Sequence, residues 1–265
     1  MTTPMLFSDI DFSKVTFSEP IHQKGRASKV YVNYDGKKFP LVQTALCKVA
    51  YNGISVFSTD TGRDQFSVEQ SFGGADQSEQ IAMMQRKVGE FDDFLVSEGV
   101  KHSKEWFKQP GLTAQVCKAF LTPGLRVPKD RETGEPSDKW PNSFKLKLTP
   151  NEDMSDFNFP IYPISDEKTP SRIEAPSNLQ DYVPKGSRVR AILKCGGLWI
   201  AAGRFGCTWY VEQLQVEPSE RLTGCAFIPT GEEREIKGVS SLAADAGADG
   251  EVDSEDGDIV VSDGE

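Results

Sequence analysis

Arg188-Val-Arg-Ala-Ile-Leu-Lys194, followed by Gly196-Gly-Leu-Trp-Ile-Ala-Ala-Gly-Arg-Phe-Gly-Cys-Thr-Trp-Tyr-Val-Glu-Gln-Leu-Gln-Val216, decides the fold. Val189, Ala191 and Leu193 alternate with Arg188, Arg190 and Lys194, the period-two signature of a half-buried strand. A second strand follows Lys194, Gly203 to Gly206 reads as a turn, and a long strand completes the hairpin. Trp209 shares parity with Val211. Trp199 has the opposite parity to Leu198 and Ile200, which makes it the better exposed candidate. Phe205 beside Arg204 falls at the tip of that turn, where there is little core to enter, and reads as a contact residue.

Working outward, the same logic finds more strands. Lys29–Tyr34 and Lys37–Thr44 flank Asp35-Gly36, a strong short-range hairpin signal. Gly53–Ser58 and Gln65–Phe72 form another pair around Asp60-Thr-Gly62. Ser143–Thr149 sets Phe144, Leu146 and Leu148 on one face and Lys145 and Lys147 on the other. One long helix runs from Gln77 to about Glu98. Asp76 or Ser78 caps its start, Gly99 suits its stop, and Ile81, Met84, Val88, Phe91 and Leu95 make its apolar stripe. A short amphipathic piece spans Ser103–Lys108, and Thr113–Leu121 fits either strand or helix. Residues 1–28 lack a sustained period and read as an N-terminal arm. The polar loop 123–142 and the Pro-, Asp- and Ser-rich stretch 150–187 show no clear element. Many short strands, turn signals and one interrupting helix predict a mainly β protein, an OB-fold-like Greek-key barrel with insertions over 29–228. A β-sandwich is the competitor.

The chain carries 30 Lys and Arg against 40 Asp and Glu, a net charge of −10. After Lys237 there is no base, and nine acids follow. Without them the body holds 30 bases against 31 acids, so it is balanced, with a polyanion tied to it. A like-charged block poor in large apolar residues predicts a linker and disordered acidic tail over 229–265. Five cysteines, odd in number and widely spaced, suggest reduced thiols rather than a disulfide frame. With two histidines and no CxxC pair, no metal site is expected. Met1-Thr-Thr-Pro4 has neither a basic nor an apolar leader segment, and no apolar run approaches a membrane span. There is no GxxxxGK[ST], GxGxxG, HExxH or GxSxG motif. Neither catalysis nor a cofactor is therefore expected.

Aromatic and cationic side chains interleaved on β-strands remain. Single-stranded nucleic acid is held by flat side chains that stack on bases and by Lys and Arg that track phosphates. The candidates are Tyr31, Tyr34, Lys37 and Lys38 on the first hairpin, Lys145 and Lys147, then Arg188, Arg190 and Lys194. Trp199, Arg204, Phe205, Trp209 and Tyr210 complete the set. A lysine face on a strand also fits the wet side of any half-buried sheet.

Val30-Tyr-Val-Asn-Tyr-Asp-Gly-Lys-Lys38 with Leu41-Val-Gln-Thr44, together with Leu193-Lys-Cys-Gly-Gly-Leu-Trp-Ile-Ala-Ala-Gly-Arg-Phe-Gly-Cys-Thr-Trp209 and Gln213, resembles a known family. It is similar to the single-stranded DNA-binding proteins of nucleocytoplasmic large DNA viruses, algal viruses among them. These are related in turn to the OB-fold replication protein of certain podophages. The resemblance is densest in 29–57 and 188–216. It implies an OB-fold core, sequence-independent binding of single-stranded DNA in viral replication and recombination, and a binding role for Trp199, Arg204 and Phe205. It also implies an acidic tail that competes with DNA and recruits viral replication proteins, the polymerase and helicase-primase. The setting would be intracellular, in the host nucleus or a cytoplasmic viral factory, and a homodimer is left open. Phage tails close on an aromatic residue, whereas this one closes on Gly264-Glu265. Its docking element would be Ile259-Val260-Val261 among Asp256, Asp258 and Asp263, which suits strand addition to a partner's sheet edge. The alternative is a non-enzymatic β-rich scaffold or chaperone-like protein whose tail binds basic proteins. A basic, aromatic-lined groove would favour the first reading.

Overall fold

Alternation along five strands closes a barrel in the computed structural model, which describes residues 3–23, 27–58, 64–130, 132–164 and 171–219. The strands are β1 (Cys47–Ser58), β2 (Asp64–Ser71), β3 (Ser143–Leu148), β4 (Arg188–Ala201) and β5 (Arg204–Glu217). β1 pairs antiparallel with β2, with Val56 opposite Phe66, and β2 antiparallel with β3, with Val68 opposite Leu146. β3 runs parallel to β5 at Lys147–Tyr210, β5 antiparallel to β4, and β4 antiparallel to β1 at Val189–Cys47. The ring order β1-β2-β3-β5-β4-β1, with its single parallel contact between β3 and β5, is that of a five-stranded Greek-key OB barrel. Inward residues fill it: Val68, Leu146, Val189, Leu193 and Leu214 are 0% exposed. Each such side chain contributes about 1.5–3 kcal/mol by leaving water.

The long helix, α1 (Glu79–Lys101), is inserted between β2 and β3 and is capped by Ser78, whose Oγ accepts from the Ile81 N–H. Met84, Val88, Phe91 and Leu95 are buried as their spacing predicts, while Met83 beside them is exposed. Gly99 does not stop the helix. A Cβ there would stand 3.3 Å from the Phe205 ring, so this glycine serves a close contact and the helix runs on to Lys101. Two short helices follow, α2 (Ser103–Phe107) and α3 (Ala114–Phe120), which resolves 113–121 as helix. Asp92, buried on α1, accepts the N–H groups of Gly124 and Leu125 at 2.8 Å each and fastens the chain that leaves α3.

Three sequence expectations are corrected. Residues 3–23 are not a loose arm, because Phe7 and Ile10 are 1% exposed and Phe7 packs on Trp209 with ring centroids 5.1 Å apart. Within the stretch 150–187, Phe157, Phe159, Ile161, Tyr182 and Val183 are buried, and Ile161–Pro163 forms a strand parallel to β5. That stretch docks on β1 at Gly53 (φ +100°), where any Cβ would lie 2.3 Å from the Val183 carbonyl oxygen. The hairpin turn is Ala202-Gly203 (φ 50° and 74°), both left-handed as a two-residue type I′ turn requires, rather than Gly203 to Gly206.

Candidate nucleic-acid interface

Register places outward-facing residues of neighbouring strands side by side. Ser55 of β1 stands opposite Ser67 of β2, Ser67 opposite Lys147 of β3, Lys147 beside Tyr210 of β5, and Tyr210 opposite Lys194 of β4. One step along lies Phe57 opposite Gln65, and on the other side Glu69 opposite Lys145. Above this face is a groove of about 350 Å³ lined by Phe57, Gln65, Arg126, Lys145, Lys147, Trp199 and Thr208. Phe57 is 67% exposed.

Trp199 reaches the groove through a change of parity. Cys195 faces Trp209 but Leu198 faces Cys207, so Gly196-Gly197 is an extra bulged step that turns the rest of β4 over. Gly197 sits at φ +88°, with no room for a Cβ, which would stand 2.5 Å from the Val30 carbonyl oxygen. Opposite Trp199 is Gly206, whose missing side chain lets the indole lie down on the strand, 3.0 Å from where a Cβ would be. The ring is half-buried, one side packed and the other lining the groove.

The groove carries surplus positive charge. Glu69 is 8% exposed and already committed, accepting from Arg126 Nη1 at 3.0 Å and Ser143 Oγ at 2.9 Å. Lys145 and Lys147 have no ion-pair partner among the described residues. Partial burial, then the Arg126 guanidinium, draws the Lys145 ammonium below its ordinary value. A phosphate placed there would relieve that tension by supplying the missing counter-charge. Lys147 also rests its Nζ 5.7 Å from the Tyr210 ring centroid.

A second cleft of about 460 Å³ adjoins the first, lined by Lys29, Tyr31, Lys38, Lys194 and Tyr210 among others. Lys29 Nζ lies 4.9 Å over the Tyr31 ring, which is 49% exposed. Lys194 is tied to Glu212 at 3.4 Å. The two clefts meet at the Lys147–Tyr210 contact, giving one face on which cations and flat rings alternate.

The other sequence candidates divide sharply. Phe205 and Trp209, expected as contact residues, are 0% and 3% exposed and belong to the core. With the turn at Ala202-Gly203, Phe205 is the second residue of β5 rather than a tip, and its inward parity drives it against Trp106 and Phe107. Trp209 packs among Phe7, Phe39, Phe91 and Phe144. Tyr34 is a packing residue, its ring 5.7 Å from Phe39 and its hydroxyl accepting from the Asp11 N–H at 3.3 Å. Arg188 is ion-paired to Glu217, and Arg190 donates twice to Gln215 Oε1, at 3.0 and 2.6 Å. Both lie on β4 outside the two clefts. Lys37 and Arg204 are exposed at turns and line neither cleft. Phe57 and Arg126 were missed. Phe57 had a signal, since Ile54 and Val56 face inward and leave Ser55 and Phe57 outward. Arg126 had none, because its place is set by the distant Asp92. The tail candidates Asp256, Asp258, Ile259, Val260, Val261 and Asp263 lie outside the described residues.

No family model and no curated protein matches the chain. Among solved structures, the chain is similar to the single-stranded DNA-binding protein of bacteriophage Enc34 in complex with ssDNA, at 9% identity and a TM-score of 0.41, covering 78% of this chain and 98% of that one. It is also similar to gp2.5, a single-stranded DNA-binding protein encoded by bacteriophage T7, at 9% identity and a TM-score of 0.38, covering 72% and 98%. Likeness at that level fixes neither fold nor function. The fold rests on the strand order, and the interface on its own geometry.

Proposed function

We propose that this protein binds single-stranded DNA without sequence preference across the outer face of β2 and β3. The observation that carries the reading is one groove that brings together Phe57, Trp199, Lys145, Lys147 and Arg126, while the neighbouring Glu69 carboxylate is already paired with Arg126. In OB barrels the second and third strands, with the loops joining strands 1–2 and 4–5, are where oligonucleotides bind. Phe57 stands at the β1 end of the first of these loops, and Trp199 beside the β4–β5 turn. Rings offered to any base and cations offered to any phosphate give affinity without base-edge readout. The same reading extends to a role in viral DNA replication and recombination. There the acidic tail competes with DNA for the groove and presents Ile259-Val260-Val261 to replication partners.

Gel-shift titrations with oligo-dT, the corresponding duplex and oligo-rU at two salt concentrations test the reading. The single-stranded DNA should bind tightest, and less tightly as salt rises. Absence of oligo-dT binding at low salt defeats it, and tighter binding of oligo-rU reassigns the ligand to RNA. A chain ending at Val239 should bind oligo-dT more tightly than the full chain; equal affinity removes the competing tail.

A further inference from the structure

Cys195 on β4 and Cys207 on β5 face each other across the Gly196-Gly197 bulge with their Sγ atoms 3.6 Å apart. They differ from Cys47 and Cys117, which are 0% exposed, because both are only half-buried. Cys207 lines the groove that holds Trp199, and Cys195 the cleft that holds Tyr31, so the pair straddles the junction of the two. Nothing in the binding face as described makes use of either sulfur.

We propose that Cys195 and Cys207 are a site of reversible oxidation, closing to a disulfide under a peroxide and thereby weakening the face that spans both clefts. The disulfide stands on geometry alone; its effect on binding rests on the single-stranded DNA reading above. The two thiols are unlike. The hydrogen bond from Cys207 draws the Cys195 thiol below its ordinary value, with Lys29 adding to the effect, whereas the same contact and burial push Cys207 up. A low-pKa thiol next to a thiol that can resolve it is the arrangement of oxidation-sensitive pairs.

The steps balance. Cys195 as thiolate attacks one peroxide oxygen, the O–O bond breaks, and the released hydroxide takes a proton to leave as water, with Cys195 now a sulfenic acid. Cys207 sulfur attacks the sulfenic sulfur, the S–O bond breaks, and hydroxide again leaves with the Cys207 proton as water. Two thiols give up two electrons and one peroxide takes them, yielding one S–S bond and two waters. A dithiol reverses the reaction by thiol–disulfide exchange.

Closure has a mechanical consequence. The sulfurs must approach from 3.6 Å to about 2.05 Å. The bulge has no slack on its outer side. A Cβ at Gly196 would lie 2.4 Å from the Tyr210 ring, and one at Gly197 would lie 2.5 Å from the Val30 carbonyl oxygen. Drawing Cys195 toward β5 therefore presses Gly196 on Tyr210, the ring that lines the second cleft and meets Lys147 of the first.

The full-length chain is treated with hydrogen peroxide and mapped by peptide mass spectrometry without reduction, beside Cys195→Ser, Cys207→Ser and the double variant. Oligo-dT affinity is measured on reduced, oxidised and re-reduced protein. The expected result is a Cys195–Cys207 cross-link absent from all three variants, and an affinity loss of roughly fivefold or more, the scale of one lost base stack. Affinity should return with dithiothreitol, and the double variant should be indifferent to peroxide. Sulfinic acid on Cys195 without a cross-link, or a cross-link to Cys225 instead, overturns the site. A cross-link that leaves affinity unchanged overturns its effect on binding. Failure of the reduced protein to bind oligo-dT would strike the DNA reading and leave the cross-link result standing.

Discussion

Replacing Lys145 and Lys147 together by Gln tests the groove where its geometry is most committed. Four cations on the face lack an ion-pair partner among the described residues: Lys145 and Lys147 in the first cleft, Lys29 and Lys38 in the second. If each meets one phosphate, log K falls with log salt at a slope of about −0.7 per contact on a single strand, hence about −2.8. Between about 50 and 200 mM salt, affinity for oligo-dT then drops roughly 50-fold. The double variant keeps two contacts, a slope of about −1.4 and a drop of roughly sevenfold over the same range. Fluorescence anisotropy at five or six salt concentrations resolves that difference. The fold should tolerate the change, because Lys145 is exposed and Lys147 half-buried on the outer face. A slope unchanged from the parent would show that neither lysine touches phosphate and would refute the placement of the strand along β3. A parallel shift, weaker at every salt but with the same slope, would mean that the two lysines act through local structure.

Phe57→Ala should weaken oligo-dT binding by about 1–3 kcal/mol while leaving thermal stability alone, since the ring is 67% exposed. Phe205→Ala, at 0% exposure, should instead cost about 3–5 kcal/mol of stability in urea unfolding, and a change confined to binding would contradict its core placement. Gly197→Ala places a methyl 2.5 Å from the Val30 carbonyl oxygen at φ +88°, so it should destabilise by well over about 1 kcal/mol and release the strand Ser28–Val30 from β4; a stable variant would refute the bulge. Burial pushes the Asp92 carboxyl up, against the N–H bonds of Leu125 and Gly124. The folded state then keeps that proton to higher pH than the unfolded state. Stability therefore falls as pH climbs from the ordinary carboxylate range through the raised value, and levels off above it. Asp92→Asn should flatten that segment in urea titrations across pH, whereas equal slopes would mean that Asp92 is not the titrating group.

The barrel was legible wherever one face of a strand met the core and the other met water. Leu146 and Leu148 against Lys145 and Lys147, and Val189, Ala191 and Leu193 against Arg190 and Lys194, hold in the structure as the alternation requires. Reading failed where a decision belonged to a distant partner. Gly203 and Gly206 both look like turn residues, but only Gly203 has a positive φ, and Gly206 is glycine because Trp199 lies on it. That displacement moved Phe205 from a tip into the core. In the stretch 150–187, Tyr182 is held by a 2.7 Å bond to Asp156, twenty-six residues earlier, which no local period encodes. Arg126 entered the site through Asp92, thirty-three residues before the Leu125 N–H it binds. Parity is local and survives in one sequence; hydrogen bonds between inserted segments are not.

A body of near-zero net charge offering a polyanion site is no contradiction once the charges are placed. Several cations of the outer surface are spoken for: Arg188 by Glu217, Lys194 by Glu212, Lys101 by Glu98, Arg126 by Glu69. Such pairs cancel within a few ångströms and project little field beyond the Debye length of about 8 Å at physiological salt. In the first cleft Lys145 and Lys147 are left over, two residues apart on one strand, with a guanidinium beside them that raises their local potential even though its own charge is matched. The net charge sums every pair with equal weight, whereas a phosphate in the groove responds chiefly to the unpaired neighbours within reach. The acids that bring the chain to −10 are concentrated after Lys237, so they leave the balance of the barrel's own residues unaltered. Affinity should accordingly track the pairing state of these few lysines far more closely than the overall charge of the chain.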